Sequence, residues 1–233
     1  MPIHKLADGS SIEYVEIEQE PRHHVLFQNS KVRCYDTLVK PSDTTLYHRH
    51  YNDTFYALIA GGHGAMQEAG DDFKDTVLEP QGTLALMCRS KELVHRVHFK
   101  AENKNAFHIL GVELLPSGDS SDETPAPDLN QSALLRCGYT HVTKNVWPQI
   151  IVHKLTLPPG QTTGLHSYGS HCGVALFLTG AYLRVLEAEG SSPSPFSGGF
   201  VAAGSVKWHE GGVKHEIVNI GETELVAMLV HLV

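Results

Sequence analysis

Along most of the chain, apolar residues come in short runs broken by Gly, Pro, Asp and Asn. The first half reads HVLFQN, VRCYDTLV, TFYALIA, TVLEP, TLALMC, LVHRVHF and FHILGVELL; the second reads IIVHKLTL, GVALFLTG, AYLRVLEA, FVAAG, SVKWHE, HEIVNI and ELVAMLVHLV. No stretch holds a 3.6-residue period for long, so the pattern predicts many short strands and an all-β sandwich or barrel. Between the two sets, residues 116–132, PSGDSSDETPAPDLNQS, carry almost no large apolar side chain and read as a linker.

The two halves resemble each other. Pro41 to His48 and Pro159 to His166 both read PxxTTxxH, at an offset of 118 residues. The glycines that end the following apolar strands, Gly61 and Gly180, are offset by 119, and the later histidines His95 and His215 by 120. Three ordered landmarks with slowly drifting offsets are what short loop changes in a duplicated domain leave behind. The expected organisation is an N-terminal arm (1–24), a first barrel (25–115), a linker (116–144) and a second barrel (145–233).

Composition narrows the function classes. Hydrophobic residues are 41% and charged residues 19% of the chain, as in folded globular proteins. The formal charge of −8 and the lack of a basic run argue against nucleic acid. The apolar runs are far too short for a helical membrane span, and MPIHKLADGS has no apolar leader core, so a cytoplasmic protein with no membrane partner is expected. Cys34, Cys88, Cys137 and Cys172 are scattered singly and are expected to be idle thiols. No GxSxG, GxxxxGKS or GxGxxG motif stands in a chemically useful context. The unusual number is 16 histidines, the residue that most often ligates metals.

If residues 46–60 are extended, His48 and His50 face the same way, with Arg49 opposite. Thr54 and Tyr56 follow on that same face and are expected to line a pocket, with a plain core role as the alternative for Tyr56. His95 is the candidate third group from another strand. Met87 and Arg89 follow the strand that starts at Gly82, and Arg89 is expected as a solvated turn residue, with the holding of an anionic substrate at the barrel mouth as its alternative. Trp147 and Trp208 are expected in the core or between barrels, and His98 at the surface. His209 cannot be placed by parity, and His23 and His24 are expected either on the surface or in a packed arm.

The order HxH, an apolar strand ending in glycine, then a lone histidine resembles the cupin superfamily, and Gly212-Val-Lys-His215-Glu-Ile-Val-Asn219 fits the second cupin motif, GxxHxxxN. The resemblance covers about residues 25–115 and 145–233 and implies a bicupin, two jelly-roll barrels in one chain. It implies that His48, His50 and His95 are metal ligands. The family's glutamate would fall at Thr54, so the set looks like that of three-histidine cupins, which include iron-dependent dioxygenases. The expected cofactor is a divalent metal, iron(II) first, with zinc, nickel or copper also compatible with imidazole. In the second half His166 and His215 match, Tyr168 replaces the second histidine, and Gly173 or Cys172 stands at the glutamate's place. A vestigial site is expected there, with His171 able to reach it only across a bulge. The implied activity is dioxygenase-like turnover of a small organic substrate in the first barrel; a sugar or small-molecule binder and a metal-dependent isomerase or lyase are the alternatives. Cupin barrels often pair by sheet edges, so a monomer with intramolecular pairing or a homodimer is expected.

Overall fold

The computed structural model describes residues 1–86, 92–116, 134, 136–142 and 149–233. Met87, Arg89, Trp147 and most of the expected linker lie outside the described residues. The chain divides into two compact units, Met1–Ser120 and Ser121–Val233.

Both units are built almost wholly from antiparallel strands. In the first, β1 (Ile3–Lys5) and β2 (Ser11–Glu13) form a hairpin. One five-stranded sheet holds β4 (His23–Gln28), β5 (Val32–Val39), β7 (Thr54–Ala60), β10 (Thr83–Leu86) and β12 (Phe107–Leu114), in the order β10-β7-β12-β5-β4. The other holds β3 (Val15–Glu16), β6 (His48–His50), β8 (Gly62–Glu68), β9 (Lys74–Leu78) and β11 (Leu93–Phe99), in the order β3-β6-β11-β8-β9. Residues before position 25 thus supply strands to both sheets of the first unit.

The second unit repeats this plan. One sheet runs β13 (Tyr139–His141), β14 (Ile150–Leu157), β21 (Leu225–Leu232), β16 (Gly173–Phe177), β19 (Val206–His209); the other runs β15 (His166–Ser167), β20 (Lys214–Asn219), β17 (Ala181–Glu187), β18 (Gly199–Val201). Strand for strand, β10-β7-β12-β5-β4 corresponds to β19-β16-β21-β14-β13, and β6-β11-β8-β9 to β15-β20-β17-β18. The duplication read from the sequence is therefore a duplication of topology: two jelly-roll barrels.

The conserved spacing PxxTTxxH has a mechanical meaning. The hydroxyl of Thr45 accepts the Val97 backbone N–H at 2.8 Å, and that of Thr163 accepts the Ile217 N–H at 3.0 Å. Each threonine thereby ties the loop to the strand opposite. That strand carries the later histidine: His95 lies across from His48, and His215 across from His166. Residues 46–60 are not one strand, however. The chain leaves one sheet after His50 and enters the other at Thr54, because a jelly-roll strand must cross between sheets.

The cores follow from the alternation. In the first barrel Tyr35, Val39, Leu58, Phe99, Phe107 and Ile109 pack together; in the second, Leu155, Phe177, Phe196, Ile217, Ala227 and Leu229 do so. Asn219 is fully buried and closes a loop of the second barrel, its amide donating to the carbonyls of Leu157 and Thr223 at 2.8 Å each while its oxygen accepts the Gly221 N–H at 3.1 Å. Asn219→Ala leaves those groups unpaired, and at about 1–3 kcal/mol for a stranded buried partner the urea midpoint of the second unit should fall clearly. An unchanged midpoint would show that water replaces the amide.

Candidate metal centre

In the first barrel β6 and β11 bring three imidazoles together. His48, His50 and His95 are all buried, with ring centres 5.1 Å (48–50), 4.5 Å (48–95) and 5.0 Å (50–95) apart. Among the described residues they are the one group of three or more His, Cys, Asp or Glu whose ligand atoms all lie within 4.8 Å of one another. Arg49 points the other way, as alternation requires, and is held by Glu16 and Glu92 and stacked on Tyr14 and Tyr51.

The hydrogen bonding suits ligation. His48 Nδ1–H donates to the Leu46 carbonyl at 2.9 Å, which fixes the tautomer and leaves Nε2 as a bare lone pair. Neither ring nitrogen of His50 or His95 has a partner. A neutral imidazole carries one lone-pair nitrogen and one N–H, and in each of these two buried rings a shared ion would take the lone pair that otherwise has no partner. Burial, followed by the neighbouring imidazoles, holds His48 and His50 well below the ordinary histidine range, and burial lowers His95 to about 3. All three are neutral at pH 7, the form that binds a metal. Among the described residues, no carboxylate joins the group.

A cavity of about 240 Å³ opens beside the cluster. Its wall is largely apolar, with Val39, Leu78, Val97, Phe107 and Ile109, and is reached by His48 and His95. Tyr56 lines it, with its hydroxyl 2.7 Å from that of Tyr35. Thr54 does not: it is fully buried at the start of β7, and its hydroxyl donates to the Asn52 carbonyl at 3.1 Å. Its expected place on the wall depended on carrying strand parity from His50 across residues 51–53, where the chain changes sheets.

Sequence reasoning missed a fourth imidazole on this wall. His23, opposite Thr37 on β5, packs its ring 4.7 Å from that of His48. His23 Nδ1–H donates to the buried Glu20 carboxylate at 2.8 Å. Burial pushes that carboxyl up, but the donors from His23 and from the backbones of Arg22 and Leu46 outweigh it and hold Glu20 below its ordinary value. The adjacent Thr37 hydroxyl lines the cavity and has no partner.

The corresponding place in the second barrel is occupied by hydrogen bonds. His166 Nδ1–H donates to the Gly164 carbonyl at 3.0 Å, so its Nε2 accepts, and the Tyr139 hydroxyl donates to it at 2.9 Å. Tyr168 then donates to Tyr139 at 2.9 Å, His215 Nε2–H to Tyr168 at 3.0 Å, and the Ser194 hydroxyl to His215 Nδ1. Every proton in this chain points one way and every lone pair on both histidines is used. His171 does not enter it; its Nδ1–H donates to the Leu232 carbonyl at 3.1 Å.

Two antiparallel sheets closed into a barrel, with a histidine from one strand facing a histidine from the strand across it, constitute the cupin fold, and this chain carries that fold twice. No family model and no curated protein sequence matches the chain. Solved structures do. Oxalate decarboxylase from Lactobacillus farciminis aligns with a TM-score of 0.59 at 14% identity, over 87% of this chain and 77% of that one. Salicylate 1,2-dioxygenase from Pseudoaminobacter salicylatoxidans aligns at 0.57 and 13%, over 90% and 74%. YhaK from Escherichia coli aligns at 0.56 and 11%, over 89% and 87%. At these identities the likeness is one of fold. No helix among the described residues is long and apolar enough to cross a membrane.

Proposed function

We propose that the first barrel is a metal-dependent enzyme site in which His48, His50 and His95 hold a divalent ion, iron(II), and which carries out dioxygenase-like oxidation of a small organic substrate. The observation that carries this reading is the convergence of three buried neutral imidazoles, two without any partner, at the end of an apolar cavity. A three-nitrogen set without a carboxylate leaves the ion its full charge and open positions, and the ion supplies the redox chemistry when bound. The chain's own part is to hold that geometry and orient the substrate. The apolar walls exclude water, while Thr37 and Tyr56 offer hydroxyls to an oxygen function of the substrate. The solved dioxygenase and decarboxylase neighbours show that the fold hosts both oxidative and non-oxidative chemistry.

One observation favours a second reading, a metal-dependent isomerase or lyase. The Glu20–His23 pair places a carboxylate-oriented imidazole on the cavity wall, an arrangement suited to moving a proton rather than activating oxygen.

The two readings separate by metal analysis and oxygen uptake. Purified protein should contain stoichiometric iron, and His48→Ala should lose one equivalent of metal. Oxygen consumption on adding thiols, diketones or phenols supports the oxidative reading. Bound metal without oxygen uptake moves the assignment to isomerase or lyase, and wild-type protein that binds no metal in the first barrel sinks both.

A further inference from the structure

The second barrel holds a separate cluster of buried histidines that the HxH motif does not include. His209 at the end of β19 and His231 near the end of β21 both lie directly across from Gly173 on β16, one on each side. Both are buried, and their ring centres are 5.6 Å apart.

Their hydrogen bonding repeats the pattern of the first barrel. His209 Nδ1–H donates to the Glu210 carbonyl at 3.1 Å, so the proton is on Nδ1 and Nε2 is a lone pair; that Nε2 has no partner. This matches His48, whose Nδ1–H is likewise spent on a carbonyl. Neither nitrogen of His231 has a partner. By contrast, all four ring nitrogens of His166 and His215 are bonded.

Gly173 explains how the two rings come to face each other. A Cβ placed there would run first into the Val230 carbonyl oxygen and would also lie 3.1 Å from His209 Nε2 and 3.1 Å from the His231 Cα. Because position 173 has no side chain, the His209 ring can bring its free nitrogen close over β16. This glycine is, with Cys172, one of the two residues that stand at the place of the cupin motif's glutamate, and a histidine from another strand lies over it. With metal–nitrogen bonds of about 2.0–2.1 Å, two imidazoles on one tetrahedral ion have ring centres about 5 Å apart. The observed separation fits that spacing without rearrangement of the strands. His153, on the strand that flanks β21 opposite β16, has its ring 5.5 Å from that of His231.

We infer that His209 and His231 form a second metal site, displaced from the motif position and selective for a first-row divalent ion that favours imidazole, such as Zn²⁺. It is a two-histidine site, not a preformed triad, and should bind more weakly than the first barrel. The inference does not depend on the activity of the first barrel.

Zinc titration of demetallated full-length protein tests it, with binding read by calorimetry and folding checked by circular dichroism. H209Q/H231Q should bind one equivalent fewer than wild type, and H48A/H95A should retain the equivalent that H209Q/H231Q loses. Equal stoichiometry in wild type and H209Q/H231Q overturns the inference. Should the double variant not fold, long-range ¹H–¹⁵N spectra of the wild type read the same site: zinc must shift the His209 and His231 ring signals together, and unshifted signals at saturating zinc overturn the inference equally.

Discussion

Stripped of metal, the protein is expected to lose stability steeply as the pH falls from about 6.5 toward 4. The cause is the group of histidines that the fold holds neutral. Burial lowers His95 and His215 from the ordinary 6.5 to about 3 and His209 to about 4, and it also holds His48, His50 and His231 well below that ordinary value. Above 6.5 these rings are neutral whether folded or unfolded, and they impose no pH dependence. Below it the unfolded chain takes up protons that the folded chain refuses, so stability falls with pH until the folded values are reached. Each such ring costs about 1.36 kcal/mol per pH unit in that window. For the three rings of the first barrel, 1.5 units below 6.5 amounts to about 6 kcal/mol, comparable with the whole stability of a small domain. Urea midpoints measured in chelator between pH 7 and pH 4 should therefore drop sharply. Bound metal should move the loss to lower pH, because protons must then compete with the ion for the same lone pairs. A midpoint flat from 6.5 to 4.5 would mean that these rings are hydrated and not held neutral by burial.

The sequence made some of these histidines visible and concealed others, for a physical reason. His48 and His50 are two apart on a short strand, His95 lies in LVHRVHF, and the PxxTTxxH repeat marks which loop faces which strand. Those signals are local, and the threonine-to-strand hydrogen bonds are what keep the spacing fixed. His231 lies in ELVAMLVHLV, where both faces of β21 are buried, so no alternation betrays which residues point inward. His153 in IIVHKLTL is only partly easier to read. His209 ends a strand whose pairing with β16 is set by tertiary contacts. His23 reaches the first barrel's wall because β4 pairs with β5, and nothing in HHVLFQN announces that partner. The replacement of the second motif histidine by Tyr168 was legible in the sequence, but the hydroxyl of Tyr139, which completes the proton chain, comes from a stretch that reads as linker.

Replacing His50 with leucine should have opposite effects on the metal-free and metal-bound protein. In the metal-free fold the His50 ring is buried with both nitrogens unpartnered. A buried polar group without a partner costs about 1–3 kcal/mol, and leucine fills similar space without that cost. In chelator, His50→Leu should therefore be as stable as wild type or more so by about that amount, although most core substitutions destabilise. With saturating metal the order should reverse. An ion at a thousand times its dissociation constant adds about 4.1 kcal/mol to the wild type, and the variant, left with two of the three ligands, forfeits most of it. The crossing of the two stability curves as metal is added distinguishes a ligand from a packing residue. A histidine that only fills the core would make His50→Leu shift both curves in the same direction, whereas a ligand whose burial is tolerated for the sake of the ion must cost stability when the ion is absent and return it when the ion is bound.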